Sequence, residues 1–122
     1  MGFCANTSCG QAFIKNKALR EMNKKGIYTP EQIDDKVDKY WIKYNPDMTT
    51  LIKKDQCTEI IQACVNDLGK IGDGMQYDEA KFLKVYKKFD AWGSQKIQKA
   101  MVVGMLTQLV TDNAKAKEKT QG

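Results

Sequence analysis

The feature that most constrains this chain is an internal repeat. Displacing its middle by 45 residues lays Trp41 on Tyr86, Tyr44 on Phe89, Asn45 on Asp90 and Ile52 on Ile97. Farther along, Cys57, Ile60 and Ile61 fall on Val102, Met105 and Leu106. Helix, twelve-residue loop and helix, used twice, is a specific signature of two like units.

Local signals place the helices around those loops and imply an all-α fold. From Gln11 to Lys25 apolar residues recur helically at Ile14, Ala18 and Met22, with Leu19 beside them, and Gly26 is the expected stop. Thr29-Pro30-Glu31-Gln32 opens the next helix: Thr29 as N-cap, Pro30 at the first helical position, Gln32 completing a capping box. Tyr28 and Ile33 stand at hydrophobic-staple spacing. This helix is expected to reach Tyr44 and to bury Ile33, Val37, Tyr40, Trp41 and Tyr44. A third is expected from Lys54 to Leu68, stopped by Gly69 and followed by a flexible link. Asp78 caps a fourth, which buries Phe82, Val85, Tyr86 and Phe89. The last is expected from Ser94 to Val110. Three regions result: 1–28, an N-terminal segment and helix; 29–112, the repeated pair; and 113–122, a lysine-rich tail expected to be extended.

Charge narrows the function. Twenty basic residues against fifteen acidic ones give +5, and Arg20 is the one arginine. Lysine lacks the planar fork that reads bases bidentately, so sequence-specific nucleic-acid recognition is not expected. A diffuse fit to an acidic protein surface is. Cys57 and Cys64, seven apart on one helical face, read as buried thiols in a reducing compartment. Cys4 and Cys9 do not complete a zinc knuckle with them. No apolar run is long enough for a bilayer, and the start of the chain lacks a secretory layout, so a cytoplasmic location is expected. Catalysis is not expected: there is no histidine, no glycine-rich phosphate loop, and no nucleophile spaced to a base. Asp34-Asp35 and Asp78-Glu79 sit at helix starts, where the macrodipole favours negative charge.

From about Thr29 to Val110 the chain resembles the EF-hand superfamily, as a calmodulin-like pair similar to the longer-linked pairs of protists. The resemblance rests on Trp41 with Tyr44 and Tyr86 with Phe89 before the loops, and on Ile52 and Ile97 at their eighth positions. It implies a short antiparallel bridge between the loops at those isoleucines; the helix read from Gln11 to Lys25 is then an extra one before the pair. It also implies where calcium would bind. Such a loop needs oxygen ligands at positions 1, 3, 5, 7, 9 and 12, with a bidentate glutamate last and glycine at 6. In the first loop these positions hold Asn45, Asp47, Thr49, Leu51, Lys53 and Gln56, with Thr50 for glycine. In the second they hold Asp90, Trp92, Ser94, Lys96, Gln98 and Met101, with Gln95 for glycine. One carboxylate per loop cannot cage a hard divalent ion, and methionine is no substitute for glutamate. No metal or other cofactor is expected.

Without the ion nothing drives a closed-to-open switch. The expectation is a calcium-independent structural or interaction protein in a larger assembly. Its partners would be acidic proteins, with tubulin or other axonemal proteins of ciliary doublet microtubules as the specific case. Trp92, Met101, Met105 and Leu106 are the candidate partner-binding residues. Two alternatives stand beside this. Met1-Gly2 with Cys4 looks like a myristoyl-plus-palmitoyl signal for a membrane adaptor, although Phe3 and Asn6 depart from the motif. A light-chain-like subunit clasping an amphipathic helix is the other.

Overall fold

The structure, a computed structural model, describes residues 17–121. The expectations for Gly2, Cys4, Cys9 and Ile14 lie outside them. Helix α1 (17–24) ends as Gly26 adopts φ +84° and its N–H bonds to the Asn23 carbonyl at 3.0 Å. The buried Asn23 side chain donates to the Ile27 carbonyl and exchanges two bonds with the Gln32 amide. Polar contacts therefore fix α1 to the next helix, and Met22 is left exposed.

That helix, α2 (Pro30–Tyr44), begins with the expected reciprocal cap. The Gln32 N–H donates to Thr29 Oγ1 at 3.1 Å, and the Thr29 N–H donates to Gln32 Oε1 at 3.0 Å. Next come β1 (Leu51–Ile52), α3 (Lys54–Ile71), α4 (Glu79–Phe89), β2 (Ile97–Gln98) and α5 (Lys99–Gln121). The fold is thus largely helical, with one two-stranded antiparallel sheet pairing Leu51 with Gln98 and Ile52 with Ile97. The bridge expected at Ile52 and Ile97 is there, with both side chains buried.

One core joins the two halves. Val37, Ile60, Ile61, Leu68, Phe82, Val102, Met105 and Leu106 are essentially sealed from solvent. Each fully buried side chain of this size stabilises the fold by roughly 1.5–3 kcal/mol. Cys57 and Cys64 are buried among them, and Cys57 Sγ lies 3.7 Å from Met105 Sδ. Among the described residues no helix is long and apolar enough to cross a membrane.

Five sequence expectations about the fold need correction. Tyr44 is half-buried, and Phe89 is 36% exposed, its ring resting over Gly104 instead of entering the core. Gly69 does not end α3. It lies inside the helix, its absent side chain making room for the Met75 backbone, and its carbonyl accepts the Gly74 N–H at 2.8 Å. The last helix starts at Lys99, not Ser94, because residues 94–98 complete the second loop and β2. Nor is the tail extended. Alanine, lysine and glutamate favour helix, so α5 propagates to Gln121 once nucleated, pinned by Asn113 Nδ2 to Asp73 Oδ2 at 2.8 Å.

Candidate functional site

The two loops between helices share one architecture, and the 45-residue displacement extends to their hydrogen bonds. Each opens with a turn: the Met48 N–H donates to the Asn45 carbonyl at 2.9 Å, and the Gly93 N–H to the Asp90 carbonyl at 3.1 Å. Both fourth residues are left-handed, Met48 at φ +55° and Gly93 at φ +68°. The first residue of each loop then reaches the fifth. Asn45 Oδ1 lies 2.9 Å from Thr49 Oγ1 and 3.4 Å from its N–H nitrogen. Asp90 Oδ1 accepts from Ser94 Oγ at 3.0 Å and from its N–H at 2.9 Å.

The twelfth position repeats as well. Gln56 Oε1 accepts the Lys53 N–H at 3.0 Å, and the Met101 sulfur lies 3.5 Å from the Gln98 N–H. Each side chain thereby satisfies an orphan donor at the start of the helix that follows. Gln56 does more: its Nε2 donates to the Tyr44 carbonyl at 3.0 Å, tying α3 to the end of α2. The capping role of Gln56 and Met101 is not among the sequence expectations, which place them only at the twelfth loop positions. The signal was the three-residue spacing from Lys53 to Gln56 and from Gln98 to Met101.

These bonds occupy the groups that a cation would need. Asp90 takes Ser94 on one carboxylate oxygen and, on the other, the Tyr86 hydroxyl at 2.9 Å and the Gln95 N–H at 3.0 Å. Four donors fill the roughly four lone-pair sites of the carboxylate. Burial pushes the Asp90 carboxyl up, but donation from Tyr86, Gln95 and Ser94 outweighs it and holds the group below the ordinary carboxylate value. Asn45, 1% exposed, turns its amide nitrogen to the Thr49 carbonyl at 2.8 Å. Asp47 is exposed, and Lys53 stands at the ninth position. Among the described residues no cluster of three or more His, Cys, Asp or Glu could hold a metal. The donor set does not fit calcium.

The candidate partner-binding residues separate. Trp92 projects from the second loop and is 98% exposed. Met101 is half-buried, its sulfur turned to the Gln98 N–H. Met105 and Leu106 are 0% exposed, so they belong to the core and offer no surface to a partner. Their helical spacing is equally that of a core face, and α5 turns that face inward. Burial pushes the Cys57 and Cys64 thiols up to about 12, which makes them poor nucleophiles.

In comparisons with known proteins, the chain matches no family model, no curated protein and no solved structure.

Proposed function

We propose that this chain is a calcium-independent, non-catalytic interaction module with an EF-hand-like pair at its centre. The observation that carries this reading is the commitment of Asp90 to four donors of the protein itself. A loop already closed by its own side chains gains little from an ion, and a ligand without differential affinity shifts no equilibrium. One arrangement of the helices then persists whatever the metal concentration. What it offers is a fixed, lysine-rich exterior, and the partner this suits is an acidic protein surface. A tubulin lattice, as in a ciliary axoneme, is the specific partner proposed.

Two measurements test this. Titration calorimetry with calcium should give no heat of binding at micromolar to millimolar ion, and micromolar affinity would overturn the metal-independent reading. Co-sedimentation with polymerised tubulin should be saturable and should weaken as salt is raised. Absence from the pellet at low salt would remove tubulin as the partner.

A further inference from the structure

Trp92 is unlike every other large apolar side chain described. Its indole is 98% exposed at the tip of a turn, touching almost nothing of its own protein. Along its own stretch of chain the charge is one-sided. From Lys81 to Lys99 there are six lysines, of which Lys99 pairs with Asp38, and a single carboxylate, Asp90, whose oxygens are already taken; the neighbouring first loop adds one exposed carboxylate, Asp47. Lys87, Lys88 and Lys96 flank the turn, all exposed and, among the described residues, in no ion pair. The β1–β2 pairing holds the first loop alongside, and there Met48 is 63% exposed at the matching left-handed position.

We propose that this loop end is a seat for an anionic lipid bilayer, with Trp92 inserting at the headgroup level and Lys87, Lys88 and Lys96 facing the lipid phosphates and carboxylates. The shape of the site selects that occupant. A protein anchor residue works inside a packed patch ringed by contacts that exclude water, facing a pocket cut to fit. Trp92 has no such patch; it is a lone convex ring. A bilayer interface needs no matching pocket, and the amphipathic indole settles there. Lysines next to it add attraction to anionic lipid, roughly fivefold in partitioning for each one near the surface. The proposal goes beyond the protein-partner reading and needs neither Gly2 nor Cys4.

The test uses the full, unacylated chain with vesicles of phosphatidylcholine, with and without phosphatidylserine. Trp41 is buried at 7% exposure and serves as a constant background, so a change in tryptophan emission reports Trp92. We expect a blue shift, quenching by brominated acyl chains, and co-sedimentation only when phosphatidylserine is present. Trp92→Ala should weaken binding roughly tenfold or more, and Lys87→Glu with Lys88→Glu at least as much. Polyglutamate serves as the acidic-polypeptide control. No shift with phosphatidylserine vesicles, binding undiminished in Trp92→Ala, or a shift with polyglutamate alone would each overturn the proposal. The vesicle outcomes do not bear on calcium or tubulin binding, and a shift with polyglutamate would favour the acidic-protein reading over this one, so the two readings fail separately.

Discussion

The Gln56 side chain donates to the carbonyl of Tyr44 across 3.0 Å, joining the first turn of α3 to the last residue of α2. Its other end accepts the Lys53 N–H, so one amide ties the two ends of the loop together. Lysine has no acceptor to complete a capping box, which leaves Gln56 as the side chain serving this helix start. Replacing it by alanine removes two hydrogen bonds at about 1 kcal/mol each, so Gln56→Ala should lose about 2 kcal/mol in denaturant unfolding. Gln56→Glu keeps the bond to Lys53 but sets a carboxylate against the Tyr44 carbonyl. It should be destabilising too, with no gain in stability on adding calcium.

Gln95 occupies the place where the turn calls for glycine, and it adopts φ +59°. A side chain there meets its own backbone, at a cost of about 1–2 kcal/mol, part of which glycine's greater freedom in the unfolded chain offsets. Gln95→Gly should therefore raise stability by about 1 kcal/mol, since the bond from its N–H to Asp90 is a backbone bond and survives. Gln95→Val should lower it. Thermal unfolding of the three proteins gives the order directly.

Two carboxylates held below their ordinary pKa should make the fold sensitive to acid. Burial raises Asp67, but the Tyr40 hydroxyl and then Lys36 and Lys39 lower it further, and the balance is a depressed pKa. Asp90 is depressed in the same sense, by donors alone. A group depressed in the folded state contributes stability above its unfolded pKa, here 3.8, and loses that contribution as pH falls through the folded value. Stability should be flat between about pH 5 and 7 and should fall below about pH 4. Asp67→Asn with Asp90→Asn should flatten that fall while lowering stability at neutral pH. Salt should weaken the Asp67 part, which rests on lysines 3.5 and 3.6 Å away, more than the Asp90 part.

Much of this architecture was legible in the residues because it is local. Thr29 with Gln32, Asp78 at the start of α4, and Ile52 paired with Ile97 all follow from spacings of a few residues or from the repeat. Features that depend on distant segments were not legible. Glycine stops helices and also admits close neighbours, and only the return of the chain at Met75 shows that Gly69 does the second. Met105 and Leu106 carry the same periodicity whether they face a partner or a core. The loops show the limit from the other side. The shortage of carboxylates in the loops was visible at once, but the bonds that close them were hidden, since amides, hydroxyls and thioethers have no single expected partner.

The two special glycines of the helices should respond differently to one methyl group. A Cβ at Gly69 would sit 2.0 Å from the Met75 carbonyl oxygen, a backbone atom held in place by the bonds around residues 72–75. At Gly104 it would meet Phe89 Cε2 at 2.7 Å, the far end of a partly exposed ring that can swing aside. Gly69→Ala should cost about 3 kcal/mol, the upper end for overpacking. Gly104→Ala should cost about 1 kcal/mol or less, because the better helix propensity of alanine offsets the displaced ring. Equal losses in the two variants would mean that the link between α3 and α4 yields as easily as a side chain.

The two tryptophans divide stability from surface. Trp41 is 7% exposed within the core of α2, whereas Trp92 is 98% exposed. Trp41→Ala removes a large buried ring and leaves a cavity, so it should cost about 3–5 kcal/mol, a large share of the stability of a domain this size. Trp92→Ala removes no buried contact and should stay within about 0.5 kcal/mol of the parent. Equilibrium unfolding in urea separates the two outcomes, and the slope should be unchanged for Trp92→Ala, because the area exposed on unfolding barely changes. A marked loss of stability on replacing Trp92 would place its ring against the protein and remove it as a surface anchor. An unchanged midpoint shows that the folded monomer does not need the indole, as a surface anchor at the loop end requires.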